Sequence, residues 1–169
     1  MKKRDNYDRP DWDQYFAHEV WWAATRSTCQ YLQAGAVIVK ANHRIASGYN
    51  GATSKIENCL ERGCRKDEKG VEFEEKGKDV CRGAHAESNA IKRASKEDLI
   101  GSVLYTVYYP CAPCAKEIIQ TGIIEVIWFE EYKKSELAKE LFEEAGIKVR
   151  KMDWNLEKDI VYLRKIHNK

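Results

Sequence analysis

The sequence predicts an α/β fold, a three-layer α/β/α domain built on a mixed five-stranded sheet. Three observations predict it. Short β-branched and apolar runs alternate with longer segments of helical period. Gly122 and Gly146 stand just past two of the helical segments, where a helix stops. The first two strands are joined by a short turn, as an antiparallel hairpin requires, whereas helices separate the later strands and imply crossovers in a largely parallel sheet.

The elements follow in order. Residues 1–10 read as a polar arm. Asp11 is placed to cap a helix running to about Cys29, with Tyr15, Phe16, Val20, Trp21, Ala24 and Thr28 roughly on one stripe. That aromatic stripe reads as core or subunit packing. Ala34 to Lys40 is a buried strand, Ala41-Asn42-His43-Arg44 a turn, and Ile45 to Gly48 the return strand. Tyr49-Asn50-Gly51 then leaves the sheet as a loop, where binding groups concentrate. Residues 52–82 are charged, glycine-punctuated and poorly periodic, and they carry Cys59, Cys64 and Cys81. The stretch is too long for an ordinary connection, and a metal staple would order it. His85 to about Lys96 is a helix, Ser102 to Tyr108 a strand, and Cys111 to Gln120 a helix. Ile124 to Phe129 is a strand, Ser135 to Ala145 a helix, Ile147 to Val149 a short strand, and Asn155 to Ile166 a terminal helix. A length of 169 residues fits one domain, 1–169, with an insertion at about 52–82.

Composition narrows the class. The chain is 43% hydrophobic, enough for one core, and its 33% charged residues nearly cancel to a net +2. That leaves no global electrostatic case for a nucleic-acid or membrane binder, while a small anionic substrate needs only a local pocket. No apolar run has the length of a membrane span, and Met1-Lys2-Lys3-Arg4 is followed by no apolar signal core, so the expected location is the cytoplasm. In that compartment the six cysteines read as metal ligands or free thiols.

The chemistry is concentrated in His85-Ala86-Glu87 and Pro110-Cys111-Ala112-Pro113-Cys114. One imidazole and two thiolates make three ligands for a tetrahedral Zn2+ and leave the fourth position for water, as in a catalytic site. His85, Cys111 and Cys114 all fall at predicted helix starts, whose partial positive charge favours thiolates. Cys111 and Cys114 are three apart, so one turn aims both at one point. Glu87 is placed to move protons for the activated water and for the leaving amine. A fourth protein ligand would make this a closed structural site, but no cysteine or histidine occupies a neighbouring ligand position. The joint pattern is the signature of zinc-dependent nucleobase deaminases.

With those motifs, the sequence resembles the deoxycytidylate (dCMP) deaminases over nearly the whole chain to about residue 150. The resemblance rests on Trp12-Asp13-Gln14-Tyr15-Phe16, Arg26-Ser27-Thr28-Cys29, Gly35-Ala36-Val37-Ile38-Val39, Gly48-Tyr49-Asn50-Gly51, the two zinc motifs with their flanks, Leu104-Tyr105, and Ala145-Gly146-Ile147. It implies hydrolysis of dCMP to dUMP and ammonia, supplying thymidylate synthesis. It also implies a homo-oligomer, a hexamer or dimer, and dCTP and dTTP as effectors. By the same match Glu87 is the proton shuttle, Asn50 contacts the sugar, and Ala86 and Tyr132 lie at the nucleotide. Family members commonly have a basic residue after Arg-Ser-Thr-Cys and a Pro and a Gly after Gly-Tyr-Asn-Gly. Here Gln30 and Ala52 stand there instead, so Arg26 and Lys55 are the nearest basic groups for a phosphate. Some bacterial and phage members hold a second, structural zinc, and Cys29, Cys59, Cys64 and Cys81 would make a closed tetrahedral set for one. Other cytosine substrates (dCTP, deoxycytidine) and a non-catalytic zinc-stapled nucleotide-binding module are the alternatives.

Overall fold

The computed structural model describes residues 9–73, 80–131 and 135–167. Helix α1 (Trp12–Ala24) begins with a capping box: Gln14 N–H donates to Asp11 Oδ1 at 2.8 Å, and Asp11 N–H donates to Gln14 Oε1 at 3.1 Å. The helix ends at Ala24, not near Cys29. Arg26 N–H and Ser27 N–H bond back only three residues, and Thr28 N–H leaves the helix for Asn50 O at 3.3 Å. The chain is drawn off by its dock on the loop at Asn50, which helical periodicity does not register.

Strands β1 (Gly35–Lys40) and β2 (His43–Tyr49) form the hairpin. Its turn is only Ala41 and Asn42, with φ of 49° and 61°, so His43 already pairs with Lys40 and β2 begins two residues earlier than periodicity suggests. The insertion opens with β3 (Gly51–Ala52) and closes with β4 (Gly83–Ala84), which pair antiparallel and bring its ends together. Between them lie α2 (Cys59–Arg62), capped by Asn58, and α3 (Arg65–Glu68). Lys66 Nζ donates to Phe73 O at 2.6 Å, and Tyr31 donates to Asp67 at 2.6 Å while stacking on Phe73.

Helix α4 (Ala86–Ile91) is half the expected length, because Ser95 starts a separate helix, α5 (Lys96–Leu99), by accepting from Asp98 N–H. Then come β5 (Val103–Tyr108), α6 (Ala112–Thr121), β6 (Glu125–Glu130), α7 (Glu136–Glu144), β7 (Lys148–Lys151) and α8 (Leu156–His167). Gly122 ends α6 in the left-handed conformation at φ 83°. No helix among the described residues is long and apolar enough to cross a membrane.

The main sheet has the order β2-β1-β5-β6-β7. It is mixed, as expected, but not largely parallel. β1 is antiparallel to both β2 and β5, and only β5–β6 and β6–β7 are parallel. The crossover through α4 does join two strands running the same way, β2 and β5, but β1 lies between them. Periodicity counts crossovers and cannot see which strand is inserted between the ends of one.

Side chains divide with period two. Val37, Val39, Tyr105, Val107, Ile127 and Phe129 meet Phe16, Ala17, Val20 and Ala24 of α1. Ala36, Ile38, Leu104 and Val126 meet Ala86, Ala90, Ile118 and Phe142 on the opposite face. Arg150 of β7 holds Asp13 at 2.6 Å and Glu125 at 2.7 Å, while Tyr105 donates to Asp13 at 2.7 Å. This network fastens the edge of the sheet to the first turn of α1.

Gly48 sets how closely α4 lies on β2. A Cβ there would stand 2.3 Å from Ala86 O and 2.4 Å from Ala90 N, both backbone atoms of α4. Gly48→Ala is therefore expected to destabilise the fold by about 3 kcal/mol, the upper part of the ordinary overpacking range. Urea denaturation measures this, and zinc content should fall with it because His85 caps the displaced helix.

Candidate active site and metal centre

The carboxyl ends of β2 and β5 lie on the same side of the sheet, where ligands gather in open α/β folds. Two helices start there. His85 is the N-cap of α4 and Cys111 the N-cap of α6, both with extended backbone (ψ 155° and 166°). Neither side chain makes a capping hydrogen bond, so both are free for another partner. Asn89 Nδ2 donates to Tyr49 O at 2.8 Å and pins α4 to the end of β2. Pro113 at the start of α6 has no N–H to lose in a first turn.

His85 Nδ1 lies 3.3 Å from both Cys111 Sγ and Cys114 Sγ, and the three ligand atoms lie within 4.8 Å of one another. Tetrahedral zinc with Zn–N of about 2.05 Å and Zn–S of about 2.3 Å requires N···S separations of about 3.6 Å. The donor set and its spacing therefore fit zinc with little movement. His85 is exposed, Cys111 half-buried and Cys114 buried, so the centre faces solvent on the His85 side.

Glu87, in the first turn of α4, is only 7% exposed. Burial pushes its carboxyl up, while its own backbone N–H, His85 and Cys114 pull the other way. The Cys114 thiol donates to Cys111 and lowers the Cys111 thiol to about 4, whereas Cys114 itself is pushed up by the same bond and by burial. The hydrogen bond with Cys111 raises the His85 imidazole to about 9. Protons at these ligands are displaced when a metal binds. A buried carboxyl of raised proton affinity beside such a centre is suited to both taking up and releasing a proton.

The other expected site residues fall in different places. Asn50 uses both ends of its amide on the backbone: Oδ1 accepts from Ala34 N–H at 2.9 Å and Nδ2 donates to Leu32 O at 2.8 Å. It holds the 25–34 loop at the mouth of β2. The Ala86 side chain is fully buried in the core. Arg26 is exposed and lines a groove of about 1150 Å³ with Trp12, Tyr15, Trp22, Arg44 and Tyr49, not with the His85 cluster. Tyr132 lies outside the described residues. Cys29, Cys59, Cys64 and Cys81 form no disulfide. Among the described residues, however, only His85, Cys111 and Cys114 bring three ligand atoms within 4.8 Å.

Three residues had no role assigned from sequence. Asn89 is the clamp just described. Thr28 Oγ1 is buried without a partner against Gly51, where a Cβ would come within 2.2 Å of it. Arg82 Nε and Nη2 are buried without a partner among the described residues. Thr28 and Asn89 stand inside motifs that carried the resemblance, so only their tertiary contacts were illegible.

Known proteins give the same picture as the geometry. The zinc-binding region of the cytidine and deoxycytidylate deaminases matches residues 10–130. A Bacillus subtilis relative, ComE operon protein 2, is 39% identical over 93% of this chain and 78% of its own length. The mouse deoxycytidylate deaminase is 35% identical over 99% of this chain and 93% of its own. This chain spans only 49% of the Saccharomyces cerevisiae deoxycytidylate deaminase, to which it is 36% identical over 92% of its own length. Among solved structures, the dCMP deaminase of cyanophage S-TIM5 in complex with dCMP and dUMP superposes with a TM-score of 0.69 at 26% identity, covering 85% of this chain and 98% of that one. A zinc-ligand triad at two helix starts, a buried glutamate beside it and these matches together place the chain in the cytidine and deoxycytidylate deaminase zinc-binding family.

Proposed function

We propose that this chain hydrolyses dCMP to dUMP and ammonia. The carrying observation is Glu87, buried at 7% exposure beside the three zinc ligands, in a chain matching deoxycytidylate deaminases over most of its length. Zinc bound by His85, Cys111 and Cys114 would activate water as a Lewis acid. Glu87 takes the proton of the attacking water and delivers it to the ring nitrogen beside C4. It then carries a second proton to the amino group, which leaves as ammonia as the C4 carbonyl forms. Water and dCMP are consumed and dUMP and ammonia produced, so atoms balance. Free backbone N–H groups in the first turn of α6 face developing negative charge. Asn50, by holding the 25–34 loop, and the backbone at Ala86 position the nucleotide, with Tyr132 as a further contact.

The finer readings belong to the same proposal. Cys29, Cys59, Cys64 and Cys81 hold a second, structural zinc that orders the insertion within a single domain. The ligand chemistry of four thiols supports this. The enzyme acts in the cytoplasm as a homo-oligomer, supported by the exposed aromatic face of α1, where Trp22 is 78% exposed. dCTP and dTTP are its effectors.

Three measurements test these readings. Ammonia release across dCMP, dCTP, deoxycytidine and CMP is expected to be fastest with dCMP, and no turnover on any of them would favour a binding module. Glu87→Gln should keep its zinc and lose about 10³-fold in kcat, within the usual range for a proton-transfer group. Undiminished turnover would overturn its role. Metal analysis of purified protein should find about two zinc per chain. One zinc with four titratable thiols would refute the structural site.

A further inference from the structure

Helix α1 is apolar on two sides. Phe16, Ala17, Val20 and Ala24 face the sheet and are buried. On the outward side Trp12, Tyr15 and Trp22 stay 44%, 47% and 78% exposed. With Glu19 inside the helix and Arg26 just past its end, they stand at alternating spacings of three and four, the seam of a helix that pairs with another helix. A helix with apolar residues on opposite sides is ordinarily covered on both. The seam lines the groove of about 1150 Å³, with Arg44 and Tyr49 of β2 and Leu163 of α8 beside it. That volume exceeds the ~300–1,000 Å³ of small-molecule sites, and the lining runs the length of α1, from Asp11 to Arg26. Area points the same way. At about 150–250 Å² per aromatic side chain, the exposed portions of the three come to roughly 250–420 Å², near half of the ~800 Å² that a standard interface takes from each partner.

We propose that this seam docks on the same seam of a second copy of the chain, the two α1 helices lying antiparallel about a two-fold axis between Tyr15 and Glu19. The inference rests on the homo-oligomer reading above and gives it a surface. Charge selects this occupant. The seam carries an acid at its start, Asp11, and a base at its end, Arg26. Turned end for end, a second copy sets its Asp11 against Arg26 and its Arg26 against Asp11. One patch then complements itself, as a two-fold interface requires. A parallel pair would set Arg26 against Arg26. The same turn places Trp12 against Trp22 of the second copy and Tyr15 against its Glu19. Glu19 is the charge in the middle of the seam, and Arg44 of the same chain lies 3.6 Å from it, so pairing buries no bare carboxylate. Tyr49 lines the groove one residue before Asn50. The second copy therefore rests beside the strand that leads into the nucleotide loop.

The test measures assembly mass by light scattering over a range of concentrations, for wild type and for Trp22→Glu. Trp22→Glu is expected to weaken association about 30-fold or more, the usual loss at a buried aromatic anchor, and to halve the mass where wild type is assembled. Circular dichroism and zinc content check that the variant is folded. Orientation is read separately, with a photo-cross-linking residue at position 22. It should join residues 12–15 of a second copy and give a band at twice the chain mass. The same residues of its own chain lie about 10–15 Å away along the helix. Cross-links to residues near 22 of the second copy would overturn the antiparallel seam. Unchanged mass in folded Trp22→Glu would overturn the proposal and move the homo-oligomer to another face. Unchanged mass with weakened dCTP binding would overturn it and assign the groove to a nucleotide. Wild-type protein that stays monomeric at every concentration defeats the homo-oligomer reading itself, before any variant is compared. If Trp22→Glu fails to fold, the cross-link decides.

Discussion

The constraint on which the rest depends is the meeting of two helix starts over one side of the sheet. His85 and Cys111 come from different crossovers, yet His85 Nδ1 lies 3.3 Å from both Cys111 Sγ and Cys114 Sγ. No local preference can produce that distance. It exists because α4 lies against β2 and β1, because α6 follows directly from β5, and because β1 pairs with both β2 and β5. Gly48 makes the first contact close enough, and the Asn89 bond to Tyr49 O fixes its register. Zinc geometry tolerates a few tenths of an ångström, so a helix displaced by one side chain loses the site.

The burial of Glu87 belongs to the same packing. A carboxyl on the solvent side of α4 would keep its ordinary proton affinity and serve poorly as both base and acid. On the first turn, facing Cys114 and the core, it is desolvated and its affinity rises. Fold and catalysis share this residue: the helix that brings His85 to the metal also withdraws Glu87 from water.

The insertion shows how a segment without a core is given structure. Its ends are clamped by the short β3–β4 ladder, and its middle is held through Lys66, Tyr31 and Phe73. That ladder pairs Gly51 with Ala84, the residue before His85. The insertion therefore returns the chain directly to His85.

By itself the sequence determined the reaction chemistry and most of the elements. His85, Glu87, Cys111 and Cys114 are legible because metal and proton chemistry demand particular residue types at fixed local spacings, and those spacings lie within single helical turns. Caps at Asp11 and Ser135 and the stop at Gly122 are legible for the same local reason. Only the tertiary structure decided the rest. It placed β1 between β2 and β5, ended α1 at Ala24 when Thr28 turned to Asn50, and began a new helix at Ser95. It also set Asn50 to holding a loop and left Arg26 on an exposed groove. Each of these depends on partners far away along the chain, and residue periodicity carries no information about which distant backbone group a side chain will meet.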